Sequence, residues 1–105
     1  RYAYHCYLVM VTMSTTPDAV MYIENIEQAL SCMEQAIRRK IRAVDICTRN
    51  SSMQYLIILF ESEEKQIPPI MERIFAQYYR LYGKGNFYPK YEYLPMMPPD
   101  GTDQP

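Results

Sequence analysis

The spacing of apolar residues switches between two periods along this chain, and each switch marks an element. Residues 2–13 are rich in Tyr, Val and Leu and carry no charge, which predicts a buried or half-buried strand. Thr15, Thr16, Pro17 and Asp18 then give a helix-start signal of hydroxyl cap, first-turn proline and early acid. Ile23, Ile26, Leu30, Met33, Ile37 and Ile41 follow at spacings of three and four, which makes one helical stripe. Arg38, Arg39, Lys40 and Arg42 close that helix, where cations oppose the negative end of its dipole.

A short strand over 44–49, a turn over 50–52 and a strand over 53–60 come next. The run 55–60 is apolar at successive positions, as for a strand in the middle of a sheet or covered on both sides. A charged loop over 61–66 leads to Pro68 and Pro69, which open a second helix with the stripe Ile67, Ile70, Met71, Ile74, Phe75, Tyr78 and Tyr82. Gly83 and Gly85 end it. The last strand spans 87–94, and Pro89, lacking an amide hydrogen, places it at an edge or bulge. Residues 95–105 hold four prolines and read as an extended tail.

The order β-α-β-β-α-β with right-handed crossovers predicts an α+β, ferredoxin-like domain over 1–94, a four-stranded antiparallel sheet with two helices on one face. That architecture hosts enzymes, RNA binders and regulatory domains, so the site must decide the function.

Composition narrows the classes. With 105 residues and 49% of them hydrophobic, the chain supports one core and should fold. A formal charge of −1 leaves no basic excess to neutralise a phosphate backbone, which argues against nucleic acid as a partner. Three cysteines, Cys6, Cys32 and Cys47, fall in three different elements with no C-x-x-C pair. They fit a reducing cytoplasm and small buried hydrophobes better than a disulfide framework or nucleophiles. No run is long enough to cross a bilayer, and no signal peptide is visible. A membrane or sensor region ahead of Arg1 in a longer protein is compatible with all of this.

The chemistry-bearing stretch is RAVDICTRNSSMQY over 42–55, followed by LIILF. Arg42 and Asp45 form an R-x-x-D pattern, Arg49 precedes the turn, and an apolar strand follows. This run resembles the signature hairpin of the GGDEF, or diguanylate cyclase, family of bacterial signalling domains. Its five signature positions are occupied here by Ser51, Ser52, Met53, Gln54 and Tyr55. MERI over 71–74 looks like the family's following helix. The family's lead-in and last helices and its F-K-x-x-N-D segment have no counterpart.

The resemblance implies a scaffold whose chemistry has been removed. In the family the glycines let phosphates approach the turn backbone, and an acid there joins a first-strand aspartate to hold divalent ions that promote phosphoryl transfer. Met53 is a poor ligand for a hard cation, Gln54 is uncharged, and the first strand has no acid. No catalytic residue, metal site or cofactor is therefore expected.

The resemblance also makes Arg42 and Asp45 an inhibitory-site-like pair for cyclic di-GMP. There an arginine fork would donate to guanine O6 and N7, and a carboxylate would accept from N1 and N2. The plainer alternative is that Arg42 caps helix carbonyls and pairs with Asp45 at the surface. Arg49 reads as an outward charge supporting the turn. His5 reads as a partly buried strand residue without catalytic partners. Tyr78, Tyr79, Tyr82, Tyr88, Tyr91 and Tyr93 suit the rim of a small core, with an interface as the alternative.

The expected function is that of an inactive GGDEF-like module in a cytoplasmic signalling protein, binding or dimerising, with cyclic di-GMP or another nucleotide as ligand. Other domains of a longer protein and a second copy of the chain are candidate partners. Two alternatives stay open: weak ATP or GTP hydrolysis at the altered hairpin, and an unrelated ferredoxin-like domain that binds a small metabolite.

Overall fold

The computed structural model describes residues 5–17 and 22–96. Its elements are β1 (Tyr7–Thr15), α1 (Ile23–Lys40), β2 (Ile46–Ser51), β3 (Gln54–Leu59), α2 (Ile67–Leu81) and β4 (Phe87–Pro95), with a 3₁₀ turn over Glu64–Gln66 before α2. The strands form one sheet in the order β2-β3-β1-β4, every neighbouring pair antiparallel. The fold class read from the sequence is the one the chain adopts.

Alternation along the strands locates the core. Val9, Val11, Met13, Cys47, Tyr55, Ile57 and Leu59 project to one face and are buried. Met10, Leu56 and Ile58 on the opposite face are only half-buried. Both helices therefore lie on one side. Against it α1 presents Leu30, Met33 and Ile37, and α2 presents Ile67, Met71, Ile74 and Tyr78. The doubly apolar run of β3 thus reflects its central place in the sheet and not cover on both faces.

Local signals account for most boundaries. Pro68 and Pro69 fall in the first turn of α2, where a missing amide hydrogen costs nothing. Glu63 and Gln66 form a reciprocal capping box on the 3₁₀ turn ahead of it. β4 is an edge strand, and its Pro89 pairs with Met13.

Several boundaries differ from the sequence reading. Among the described residues β1 begins at Tyr7, and β2 begins at Ile46 because residues 43–45 form the turn after Arg42. Thr15 is still in β1, paired with Phe87, and α1 begins only at Ile23. Cross-strand pairing with β4 overrides the local helix-start signal; Asp18 lies outside the described residues. Ile23 is 73% exposed, so the buried stripe of α1 begins further along. The hairpin turn sits one residue later than expected, because a register shift between Arg49 and Ser51 carries β2 to Ser51, opposite Gln54. At the other end, Pro95 still belongs to β4 opposite Tyr7, and the Met96 amide donates to the Cys6 carbonyl at 2.8 Å. The rest of the predicted tail, residues 97–105, lies outside the described residues.

Candidate functional site

Arg42 follows α1 and Asp45 precedes β2, so the R-x-x-D pattern forms the loop that turns the chain into the edge strand. Within it the Asp45 amide donates to the Arg42 carbonyl at 3.0 Å. The Asp45 carboxylate is enclosed by donors. Oδ2 accepts from the Arg42 amide at 2.9 Å and from Arg42 Nε at 3.1 Å; Oδ1 accepts from Arg42 Nη2 at 3.0 Å and from the Phe60 amide at 3.1 Å. Arg42 Nη2 also donates to the Phe60 carbonyl and, at 3.2 Å, to Ser62 Oγ. The pair joins the entry of β2 to the exit of β3.

The two partners are unequally exposed. The Asp45 side chain is 2% exposed and that of Arg42 52%. Burial pushes the Asp45 carboxyl upward, but the Arg42 side chain, the Arg42 and Phe60 amides and the Arg42 charge outweigh it. The group is held below the usual carboxylate range. Of the plainer sequence reading the pairing of Arg42 with Asp45 is present, but among the described residues Arg42 caps no helix carbonyl; its fork goes to Asp45 and the end of β3.

Beside this pair lies an open cleft of about 360 Å³. Lys40, Arg42, Lys65 and Arg73 line it, drawn from the end of α1, the loop, the 3₁₀ turn and α2. Ile41, Leu59 and Ile70 supply apolar wall. Asp45 is its one acidic lining residue. Lys65 pairs with Glu63 at 3.5 Å, while Lys40 and Arg73 make no ion pair among the described residues. Sequence reasoning missed Lys65 and Arg73. They lie far along the chain from Arg42, and only the packing of α2 beside α1 brings them there.

The hairpin is organised differently. Arg49 donates through Nε to the Ser51 carbonyl at 3.1 Å and through Nη2 to the Ser52 carbonyl at 3.0 Å, the supporting role read from sequence. Ser51 and Ser52 are exposed, and Met53 is partly buried and packs on the core. Gln54 Nε2 donates to Thr12 Oγ1 at 3.0 Å, and Gln54 Oε1 accepts from Asn50 Nδ2. Tyr55 is buried with its hydroxyl donating to the Leu30 carbonyl at 3.0 Å. Where β1 meets the turn, the side chains are neutral and engaged with one another.

The remaining candidates go to structure. His5 is exposed and precedes β1 instead of being partly buried within it, and its carbonyl accepts from the Ser62 amide at 2.7 Å. Cys32 and Cys47 are buried, and burial raises both thiols. Tyr78 and Tyr82 stack with ring centroids 5.7 Å apart inside the core. Tyr88, Tyr91 and Tyr93 are half-buried, and Tyr79 is 47% exposed.

This fold is that of the diguanylate cyclase (GGDEF) domain. The chain is similar to diguanylate cyclase SiaD from Pseudomonas aeruginosa, solved in complex with its activator SiaC, with a TM-score of 0.65 and 14% identity. That match covers 84% of this chain and 36% of the other. It is also similar to a DGC protein from Thermotoga maritima, with a TM-score of 0.64 and 18% identity over 86% of this chain and 64% of that one. The chain thus spans less than two thirds of either neighbour, and at these identities the likeness establishes the fold. No family model and no curated protein matches the sequence.

Proposed function

We propose that this chain is a GGDEF-like signalling domain without cyclase activity, acting in the cytoplasm as a regulatory binding module for a cyclic dinucleotide such as cyclic di-GMP at the Arg42–Asp45 cleft. The observation that carries the reading is the gathering of Lys40, Arg42, Lys65 and Arg73 around one cleft of a chain whose net charge is −1. Asp45 and Glu63 balance Arg42 and Lys65, which leaves Lys40 and Arg73 as the excess positive charge that an anionic ligand would answer.

Loss of synthesis is supported by the hairpin. Met53 and Gln54 occupy the signature positions that in the family carry acid, and Gln54 is bonded to Thr12 and Asn50. A thioether and an amide do not supply the hard oxygen anions that divalent ions need for phosphoryl transfer. The activator bound to SiaD supports a protein partner as a second element of the reading, with other domains of a longer protein as candidates.

Calorimetric titration with cyclic di-GMP tests the binding role. Saturable heat with wild-type protein, weakened roughly 10-fold or more by Arg42→Lys, is the expected result, because an ammonium cannot hold Asp45 and present a further donor to the cleft as the guanidinium does. Absence of binding at any reachable concentration removes it.

A further inference from the structure

We infer that the cleft recognises the phosphates of its ligand and not its bases, so that it accepts cyclic dinucleotides without regard to the purine they carry. This rests on the reading of the cleft as a nucleotide site and narrows it to a chemical class.

Guanine is distinguished from adenine by donors at N1 and N2 and an acceptor at O6. Donors alone find acceptors on either purine, O6 and N7 of guanine and N1 and N7 of adenine. A wall that separates the two strongly must therefore also offer a free acceptor to guanine N1 and N2. Asp45 is the natural choice, but a carboxylate has about four lone-pair directions. In Asp45 these meet the Arg42 amide, Arg42 Nε, Arg42 Nη2 and the Phe60 amide at 2.9–3.1 Å. It lines the cleft, but with its side chain 2% exposed and these four donors in place it offers no free acceptor there.

The other polar walls are also committed. Gln66 Oε1 accepts from the Glu63 amide at 2.7 Å. Ser62 is buried, donates from Oγ to the Phe60 carbonyl and receives Arg42 Nη2. Either edge of the Arg42 guanidinium that could fork onto O6 and N7 includes Nη2, which is already given to Asp45, the Phe60 carbonyl and Ser62 Oγ. What the cleft still offers is donors: the two lysine ammonium groups, the Arg73 guanidinium and Arg42 Nη1. Donors without acceptors suit phosphate oxygens. Asp45 is then a positioning residue that orients Arg42.

The test compares cyclic di-GMP, cyclic di-AMP and uncharged guanosine by calorimetry on the same protein. The expected result is that the two cyclic dinucleotides bind within about threefold of each other and that guanosine does not compete. Raising salt from about 50 to about 300 mM should weaken both together. Arg73→Gln and Lys40→Gln, which lie outside the Asp45 clamp, should each reduce both affinities by a similar factor of roughly 3 to 10. Cyclic di-GMP binding at least about 30-fold tighter than cyclic di-AMP would overturn base indifference and leave the receptor role standing. Binding of neither dinucleotide would remove the receptor role and this inference together.

Discussion

The carboxylate of Asp45 accepts the amide of Phe60 at 3.1 Å, and through that bond the loop before β2 is fastened to the end of the strand beside it. The edge strand is held there by a charge-assisted side-chain contact as well as by its ladder. The next loop contains Glu61, which has φ of 49°, a left-handed conformation uncommon outside glycine.

Asp45→Ala should destabilise the domain by ~2–3 kcal/mol, since it strands the Phe60 amide and frees an arginine already committed to the fold. Urea unfolding gives the number. Asp45→Asn keeps one acceptor and should cost less, about 1 kcal/mol. Equal stability of wild type and Asp45→Ala would mean that the clamp contributes nothing.

Acid should act through the same group. The Asp45 carboxyl is depressed in the folded state, so the stability it supplies is fully present above the ordinary value of 3.8. That stability is lost as pH falls from there through the depressed folded value. Denaturant midpoints of wild type should therefore drop more steeply below about pH 4 than those of Asp45→Asn. Parallel profiles would argue against the assignment.

On the proposed reading, purified protein should form no cyclic di-GMP from GTP with magnesium or manganese. Rebuilding the hairpin alone, with Ser51→Gly, Ser52→Gly, Met53→Asp, Gln54→Glu and Tyr55→Phe together, should not restore synthesis, because described β1 supplies no carboxylate and pairs Thr12 with Gln54. Chromatography of the nucleotide products decides it, and product above the enzyme-free blank from either protein would sink the claim.

The thiols give an independent check of the core. Burial raises all three thiols, so access decides the order: Cys32 and Cys47 are buried, and a disulfide reagent should label them only as fast as the domain opens. Cys6, half-buried with its sulfur 3.8 Å from that of Met96, should react first. Rapid labelling of all three in native buffer would show a looser core than the one described.

Much of the fold was legible because its elements follow from local pattern. The stripe from Leu30 to Ile37, the prolines opening α2 and the edge position required by Pro89 are each decided by neighbouring residues. The start of α1 was not legible, since Thr15 and Thr16 are good caps and only pairing with Phe87 makes Thr15 a strand residue. The candidate site was half legible: the spacing of Arg42 and Asp45 marked the loop. The inward turn of the carboxylate depends on Phe60, and the cationic rim depends on Lys65 and Arg73; neither leaves a local signal.

The sheet is completed by β4 lying against β1, with Tyr7 opposite Pro95 and Thr15 opposite Phe87. The first strand of the chain therefore acquires one of its two neighbours from the last. Loop closure across nearly the whole described length must precede that pairing, whereas the β2–β3 hairpin closes over a few residues. During synthesis β1 would stand as an exposed edge until β4 emerges, so the order in which the chain leaves the ribosome sets how long an unpaired strand is open to wrong partners.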